Sequence, residues 1–134
     1  DGEDLTLIFE EKQLKERELY FHFPIYLEPY NVHKDSGTDP LFRTRPGSVI
    51  IKDDWKLHKY YEDNKIELYN LLNDVSETTN LIETKKEKAK ELLEDLDNWL
   101  KVKNAPLPTK LNPLYDRKYV DSLMYLIQKM EEVF

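Results

Sequence analysis

The chain has 134 residues, a length that suits one domain with a modest core. Hydrophobic residues make up 40% of it and charged residues 35%, a balance typical of a soluble globular protein. The formal net charge of -7 argues against nucleic acid and anionic membranes as partners, because phosphate binding needs a cationic surface.

The absence of cysteine excludes disulfides, thiolate zinc sites and a cysteine nucleophile. No apolar run approaches the roughly 20 residues that span a bilayer, and no signal-like segment is found. The chain begins at Asp1 rather than at methionine, which suggests a processed protein or an excised fragment.

The first elements are a short helix and a strand. Asp4 is placed to cap a helix that ends near Leu14, with Leu5, Ile8 and Phe9 at helical spacing. Glu18 to Phe23 is aromatic-rich and predicts a strand, which Pro24 either terminates or places at a sheet edge. Residues 24–46 contain four prolines and one glycine without lasting periodicity, which predicts a long irregular excursion.

Three further strands follow as an antiparallel meander. The runs Ser48 to Ile51, Trp55 to Tyr61 and Ile66 to Leu71 are separated by the turn signals KDD and EDN. Side chains alternate across a strand, so Trp55 and Leu57 share one face with the stem of Lys59. The opposite face takes Lys56, His58 and Tyr60.

Two helices complete the chain. Thr84 and Glu87 have the spacing of a capping box, and an apolar stripe then follows at Ala89, Leu92, Leu93, Leu96, Trp99 and Leu100. This stripe is expected to cover the apolar face of the sheet, so Leu96→Asp should unfold the chain. After a proline-rich connector, a last helix from about Arg117 would place on one side Tyr119, Leu123, Leu126, Ile127, Met130 and Phe134. The predicted class is α+β, a small antiparallel sheet of about four strands packed on one long helix, with helical segments at both ends.

Several common site motifs are absent. Three glycines cannot form a glycine-rich phosphate loop, and no serine lies in a nucleophile elbow. His22, His33 and His58 lack the HxH or HxxxH spacing of a metal site, so no metal ligand is predicted. The acidic pairs Asp53–Asp54 and Glu62–Asp63 are interpreted as turn formers rather than calcium ligands.

The motifs resemble the C-terminal subdomain of the arylsulfatase-type sulfatases. The matching segments are ELYFHFPIYLEPY, FRTRPGSVIIKDDWKLHKYYEDNKIELYNLLNDVSETTNL, LEDLDNWL and NAPLPTKLNPLYD. Within them, the family's short patterns correspond to Leu19 through Pro24, Asp54 through Leu57, Glu67 through Leu71, Glu77 through Leu81 and Leu92 through Leu100. DGEDL at the start is similar to the segment that closes the sulfatase catalytic domain.

The resemblance implies a division of the chain. It covers about residues 1–116, with 1–17 forming the junction to a catalytic domain that precedes Asp1 and 18–116 forming the core. Residues 117–134 form an extra terminal helix outside the resemblance. All 134 residues would be a single subdomain that packs on its own N-terminal catalytic domain.

The resemblance also implies where the chemistry lies. Sulfatases of this type hydrolyse sulfate esters with a formylglycine, made within C/S-x-P-x-R, beside a calcium ion. This chain contains no such motif, so both groups would belong to the absent domain and the chain alone is expected to be inactive. The family resemblance implies a sulfated small molecule or carbohydrate as substrate, and an exported parent protein in the periplasm or outside the cell.

Four residues are expected to bind substrate. In some members of the family a hairpin histidine contacts the substrate, and His58 occupies the matching position here. An imidazole suits this role, since it can donate a hydrogen bond to a sulfate oxygen or a sugar hydroxyl; the alternative is a sheet-face histidine bonded to a neighbouring carbonyl. His22, Arg43 and Arg45 are the further candidates, the arginines because they offer forked donors to an anionic sugar.

Two features leave alternatives open. The hairpin reads Ile51-Lys52-Asp53-Asp54-Trp55-Lys56 where the family often has R-x-G-x-W-K, so an arginine contact is lost and Asp53 occupies a position where glycine relieves a positive φ. The alternative function is a non-catalytic interaction or sugar-binding module, whose last helix docks on a partner through Tyr119, Leu123, Leu126 and Met130.

Overall fold

The computed structural model describes residues 4–10, 16–27, 42–110 and 112–131. The elements in chain order are α1 (Thr6–Phe9), β1 (Leu19–Phe23), β2 (Gly47–Lys52), β3 (Trp55–Tyr60), β4 (Ile66–Asn70), α2 (Lys86–Val102) and α3 (Arg117–Glu131). Leu14, His33, Phe134, the side chain of Met130 and most of the predicted excursion lie outside the described residues.

The four strands form one antiparallel sheet in the order β1-β2-β3-β4, which confirms the predicted meander and the α+β class. Lys52 pairs with Trp55, so Asp53 and Asp54 alone close the first turn. Asp53 has φ 53°, so aspartate adopts the left-handed conformation that the position requires. The next turn places Asn64 at φ 56°.

The core lies between the sheet and α2. Ile50, Leu57 and Leu68 come from three neighbouring strands and are fully buried against Leu92 and Leu96. Each fully buried side chain of this size stabilises the fold by about 1.5–3 kcal/mol. Residues beside this centre pack on it at its edges, among them Tyr20, Trp55, Leu93 and Trp99.

Two pairings fix α2 on the sheet at its margins. The rings of Tyr20 and Trp99 stack with centroids 4.8 Å apart and nearly parallel planes. Lys52 Nζ lies 2.6 Å from Asp95 and 3.2 Å from Glu91, both on α2. The apolar stripe of α2 therefore covers the sheet as its periodicity predicts.

The predicted helix starts need two corrections. Thr84 is not the N-cap of α2: Lys85 takes that position, and the Thr84 hydroxyl donates back to the Leu81 carbonyl at 3.2 Å. The reason is a preceding turn, in which the backbone N–H groups of Thr84 and Lys85 already bond to Leu81. Before α1, the N-cap position is Leu5, although the Asp4 carboxylate accepts the Thr6 backbone N–H at 2.9 Å.

The buried side of α3 differs from the predicted one. Among the side chains of the helix that the structure describes, the half-buried ones are Val120, Leu123, Met124 and Ile127. Tyr119 and Leu126 are 62% and 56% exposed, although the sequence pattern grouped them with Leu123 and Ile127. The apolar arc of α3 is therefore wide, and only part of it is sheltered.

Candidate functional site

A group of polar and aromatic side chains lies on the face of the sheet opposite α2. Leu57 points to the helix, so its neighbours on β3 point away from it. The strand register places His58 opposite Glu67 and Lys56 opposite Tyr69. We call this group the His58 cluster; it consists of Lys56, His58, Tyr60, Glu67, Tyr69 and Glu77.

Glu77 joins two members of the cluster. Its Oε1 accepts a hydrogen bond from Lys56 Nζ at 2.6 Å, and its Oε2 lies 2.8 Å from His58 Nε2. Glu77 comes from the loop after β4 and has φ 54°, a backbone conformation that costs about 1–2 kcal/mol for a residue with a Cβ.

The loop that carries Glu77 is held by one aspartate. Asp74 accepts hydrogen bonds from the backbone N–H groups of Thr78 and Thr79, at 3.0 and 2.8 Å, and from the Thr78 hydroxyl at 3.0 Å. Beyond it, Leu68 on β4 donates its N–H to the Asn80 side chain and accepts the Leu81 N–H. The loop is therefore held together around Glu77 by Asp74 and is bonded to β4 just after Glu77, at Asn80 and Leu81.

Two tyrosines flank the imidazole. The Tyr60 ring is stacked on the His58 ring with centroids 6.0 Å apart, and the Tyr69 ring stands perpendicular to it with centroids 5.9 Å apart. Both hydroxyls donate to Glu67 Oε2, Tyr69 at 3.2 Å and Tyr60 at 3.5 Å, while Lys65 Nζ pairs with Glu67 Oε1 at 2.7 Å. The His58 ring thus lies between two tyrosine rings, and its Nε2 is hydrogen-bonded to the Glu77 carboxylate.

Burial controls the protonation of the cluster. It lowers the pKa of His58, although the hydrogen bond to Glu77 opposes this shift. Burial disfavours the charged form of Glu77, but hydrogen bonds from Lys56 and His58 outweigh it and lower the pKa of that carboxyl. Burial, with Glu67 nearby, raises the pKa of Tyr60 to about 12 and also raises the pKa of Tyr69. Near pH 7 the cluster therefore contains a neutral imidazole, ionised carboxylates and protonated phenols.

The two predicted arginines have different surroundings. The Arg45 guanidinium lies over the Tyr60 ring, 4.6 Å from its centroid, and bonds to Asp63 at 3.0 Å. Glu62 lies 3.5 Å from the same nitrogen. Arg43 is exposed. Arg45 thus borders the His58 cluster with its charge already balanced by the β3–β4 turn.

His22 lies on the opposite face of the sheet from His58. It pairs in register with Ser48, and its Nδ1 lies 2.7 Å from the Ser48 hydroxyl, which is 1% exposed. Its Nε2 donates to the Pro106 carbonyl at 2.9 Å, and Tyr61 OH lies 2.6 Å from Ser48 Oγ. Both ring nitrogens of His22 are therefore engaged within the chain, in contacts that hold the connector after α2 to the sheet.

Sequence reasoning did not identify the partners of His58. Strand alternation together with the meander register would have placed Glu67 and Tyr69 on the same face. Glu77 gives no comparable signal, since its direction depends on the turns of a loop.

The described residues contain no group of three or more histidine, cysteine, aspartate or glutamate side chains arranged to hold a metal ion. The sequence also has no cysteine and no C/S-x-P-x-R. The sequence thus lacks the formylglycine motif, and the part of the chain that the structure describes offers no calcium ligand set. No helix in the described ranges is long and apolar enough to cross a membrane.

Comparisons with known proteins give two informative matches. No protein-family model matches the chain. A curated protein named Sulfatase, from Formosa agariphila, is 34% identical in an alignment 119 residues long, and the match covers 79% of this chain and 19% of that protein. The solved structure of BT4656 in complex with its substrate D-glucosamine-2-N,6-O-disulfate matches 81% of this chain and 22% of its own, with a TM-score of 0.54 and 21% identity.

Because the second match has only 21% sequence identity, it shows a shared fold and nothing more. In both comparisons the chain spans about a fifth of the matched protein. These matches do not favour the alternative of a non-catalytic interaction module.

Proposed function

Because this chain belongs to the sulfatase family as a segment of the C-terminal subdomain type, we propose that it forms the substrate-facing part of a sulfuric ester hydrolase. The observation on which this rests is the 34% identity to a sulfatase over most of the chain. The enzyme as a whole would hydrolyse sulfate esters of carbohydrates.

The carbohydrate class is supported from two sides. The matched protein BT4656 has a disulfated glucosamine as its substrate. In this chain, His58 lies among hydrogen-bonding side chains that suit the polar edge of a sugar, whereas Tyr69 is only 8% exposed and the Tyr60 ring is covered by Arg45.

The charges of the cluster suit the sugar better than the sulfate group. Glu77 pairs with Lys56, and Asp63 with Arg45. An anion that approached these cations would have to displace carboxylates that already satisfy them. We therefore assign His58 to the sugar. His22, Arg43 and Arg45 stay candidates; His22 lies on the opposite face of the sheet, and Arg45 is already paired with Asp63.

The rest of the chemistry would come from the chain's own catalytic domain. That domain would supply the formylglycine and the calcium ion, so this segment alone would be inactive. Beside the His58 cluster, on the same face of the sheet, Leu19, Phe21 and Phe23 are 38%, 56% and 38% exposed. We propose that the catalytic domain packs on these residues, since a buried apolar contact would stabilise the joined domains. We further propose the domain division that the sequence predicts: a junction with the catalytic domain at 1–17, a core at 18–116 and an extra terminal helix at 117–134.

The parent protein is proposed to be exported, as is usual in the family. Fractionation of cells that produce it should place it outside the cytosol; a cytosolic parent would contradict this part of the proposal.

The function is tested on the longer polypeptide that contains this chain. After mass spectrometry has verified the formylglycine, sulfate release is measured from D-glucosamine 6-sulfate and from the N,6-disulfate. We expect turnover by the wild-type enzyme. His58→Ala should raise KM by about 2-fold to 13-fold, because it removes one hydrogen bond to the substrate. Lys90→Ala, a change on the exposed side of α2, serves as the control. A modified enzyme that releases no sulfate from any sulfated sugar would refute the function.

A further inference from the structure

We propose that Glu77 holds His58 with its proton on Nε2, so that Nδ1 accepts a hydrogen bond from a hydroxyl or N–H group of the sugar. His58 would then recognise a donor on the substrate rather than a sulfate oxygen. This inference rests on the proposed function and adds the chemical group that the site reads and a positioning residue, Glu77.

The acceptor chemistry of Glu77 fixes the tautomer. An ionised carboxylate has lone pairs and no proton to give, so the 2.8 Å contact requires Nε2 to be the donor. A neutral imidazole has one N–H, so its Nδ1 then carries a lone pair. The same arrangement, in which a carboxylate orients one ring nitrogen and the other meets the ligand, is common for histidines in metal sites.

The carboxylate cannot easily turn away from His58. Its second oxygen is bonded to Lys56 Nζ at 2.6 Å, and Asp74 holds the backbone of the loop through three hydrogen bonds. The left-handed backbone at Glu77 is maintained by these bonds, which offset its cost.

The contacts of His58 leave its Nδ1 unused. It has no hydrogen bond within the described part of the chain, where the contacts of His58 are those with Glu77 and the two tyrosine rings. Over the same residues, no buried side-chain nitrogen or oxygen lacks a hydrogen-bond partner. An unbonded Nδ1 is therefore not fully enclosed by these residues.

The surroundings keep the ring neutral. Lys56 on the same strand disfavours a charged imidazole, whereas Glu77 and Glu67 favour it, and burial exceeds these effects. Tyr60 and Tyr69 face the ring with protonated hydroxyls. A neutral ring with its proton on Nε2 cannot donate to a sulfate oxygen while the bond to Glu77 is intact.

The tautomer is tested directly by NMR. The chain has three histidines, so ¹⁵N-histidine labelling gives few signals, which single substitutions assign. Between about pH 7 and 8 we expect His58 to be neutral with the proton on Nε2. Glu77→Ala should produce a mixture of tautomers, and the control Glu94→Gln, on the exposed side of α2, should not. A proton on Nδ1, or a doubly protonated ring at this pH, would overturn the proposal.

The recognition step is tested by kinetics on the formylglycine-bearing polypeptide with D-glucosamine 6-sulfate. Glutamine keeps an acceptor at position 58, whereas lysine offers donors only. We expect His58→Gln to stay within about 3-fold of the wild-type KM and His58→Lys and His58→Ala to raise it about 10-fold. Circular dichroism checks each variant for folding; if lysine is not tolerated, the comparison of Gln with Ala decides.

Equal losses in the Gln and Ala variants, or a lysine variant that performs better than glutamine, would refute an acceptor role for His58. Failure of the proposed function has a different signature, because the wild-type enzyme would then release no sulfate at all. The NMR result does not depend on turnover.

Discussion

Truncation of Leu96 tests the packing of α2 on the sheet. Leu96 is fully buried and belongs to the cluster formed with Ile50, Leu57, Leu68 and Leu92. Leu96→Ala removes three carbons from a core with few members among the described residues, so little can move in to fill the space. Buried Leu→Ala substitutions cost about 2–5 kcal/mol, and we expect about 3 kcal/mol here.

That loss is a large part of the stability that a domain of this size possesses, about 5–15 kcal/mol. It corresponds to a decrease in Tm of roughly 10 °C. Urea unfolding followed by circular dichroism should show a lower midpoint with an unchanged m-value. Leu126→Ala, on the exposed part of α3, should change the free energy of unfolding by less than about 0.5 kcal/mol. If the two variants were equally stable, the assignment of α2 as the principal cover of the sheet would be wrong.

Three further outcomes are expected. Lys52→Met should lower the free energy of unfolding by about 1 kcal/mol in low salt and by less in high salt, because it removes the ion pairs to Asp95 and Glu91. The control Lys90→Met should have no measurable effect. The reasoning fails if salt does not change the loss that urea unfolding measures. Because the folded pKa of His58 lies below its unfolded value of 6.5, its contribution to stability is present above pH 6.5 and is lost as the pH falls through the folded pKa. Unfolding midpoints should therefore decline between about pH 7 and 5, and more steeply in the wild type than in His58→Gln; parallel profiles would contradict this. Asp74→Ala removes three hydrogen bonds and should speed amide hydrogen exchange at Thr78 and Thr79. The amides of β2 and β3 should be unchanged and serve as the internal standard. Unaltered exchange at the two threonines would show that Asp74 does not hold the loop.

The sheet and α2 were predictable because their signals are local. Alternation along β3, turn residues at Asp53 and Asn64, and an i, i+3, i+4 stripe on α2 each specify structure within a few residues. Leu57 faces the core and His58 faces away, as the alternation predicts. The resemblance to sulfatases, stated from short motifs, was confirmed by the sequence and structural matches.

The errors arose where a side chain had several possible partners. The Thr84 hydroxyl has the spacing of a cap, but a turn at Leu81 gives it a carbonyl first. The wide apolar arc of α3 does not specify which part is sheltered, so Tyr119 was placed with Leu123 although it is exposed. The contact of Glu77 with His58 depends on a left-handed backbone residue and on long-range register, which no short pattern encodes. The roles predicted for His22, Arg43, Arg45 and His58 stay predictions.

The order of the strands along the chain also determines how the protein can fold and vary. From Gly47 to Asn70, each strand pairs with the next strand along the chain, so β2, β3 and β4 can assemble through short loop closures, whereas α2 packs on β2 and β3, which are farther away in sequence. β1 is made first but pairs only after residues 24–46 have been synthesised, so Leu19 and Phe21 lack a strand partner until then. Doubling the length of that connection would cost only about 0.6 kcal/mol of closure entropy. Insertions between β1 and β2 should thus be tolerated, whereas an added residue in β3 would move His58 to the helix side of the sheet.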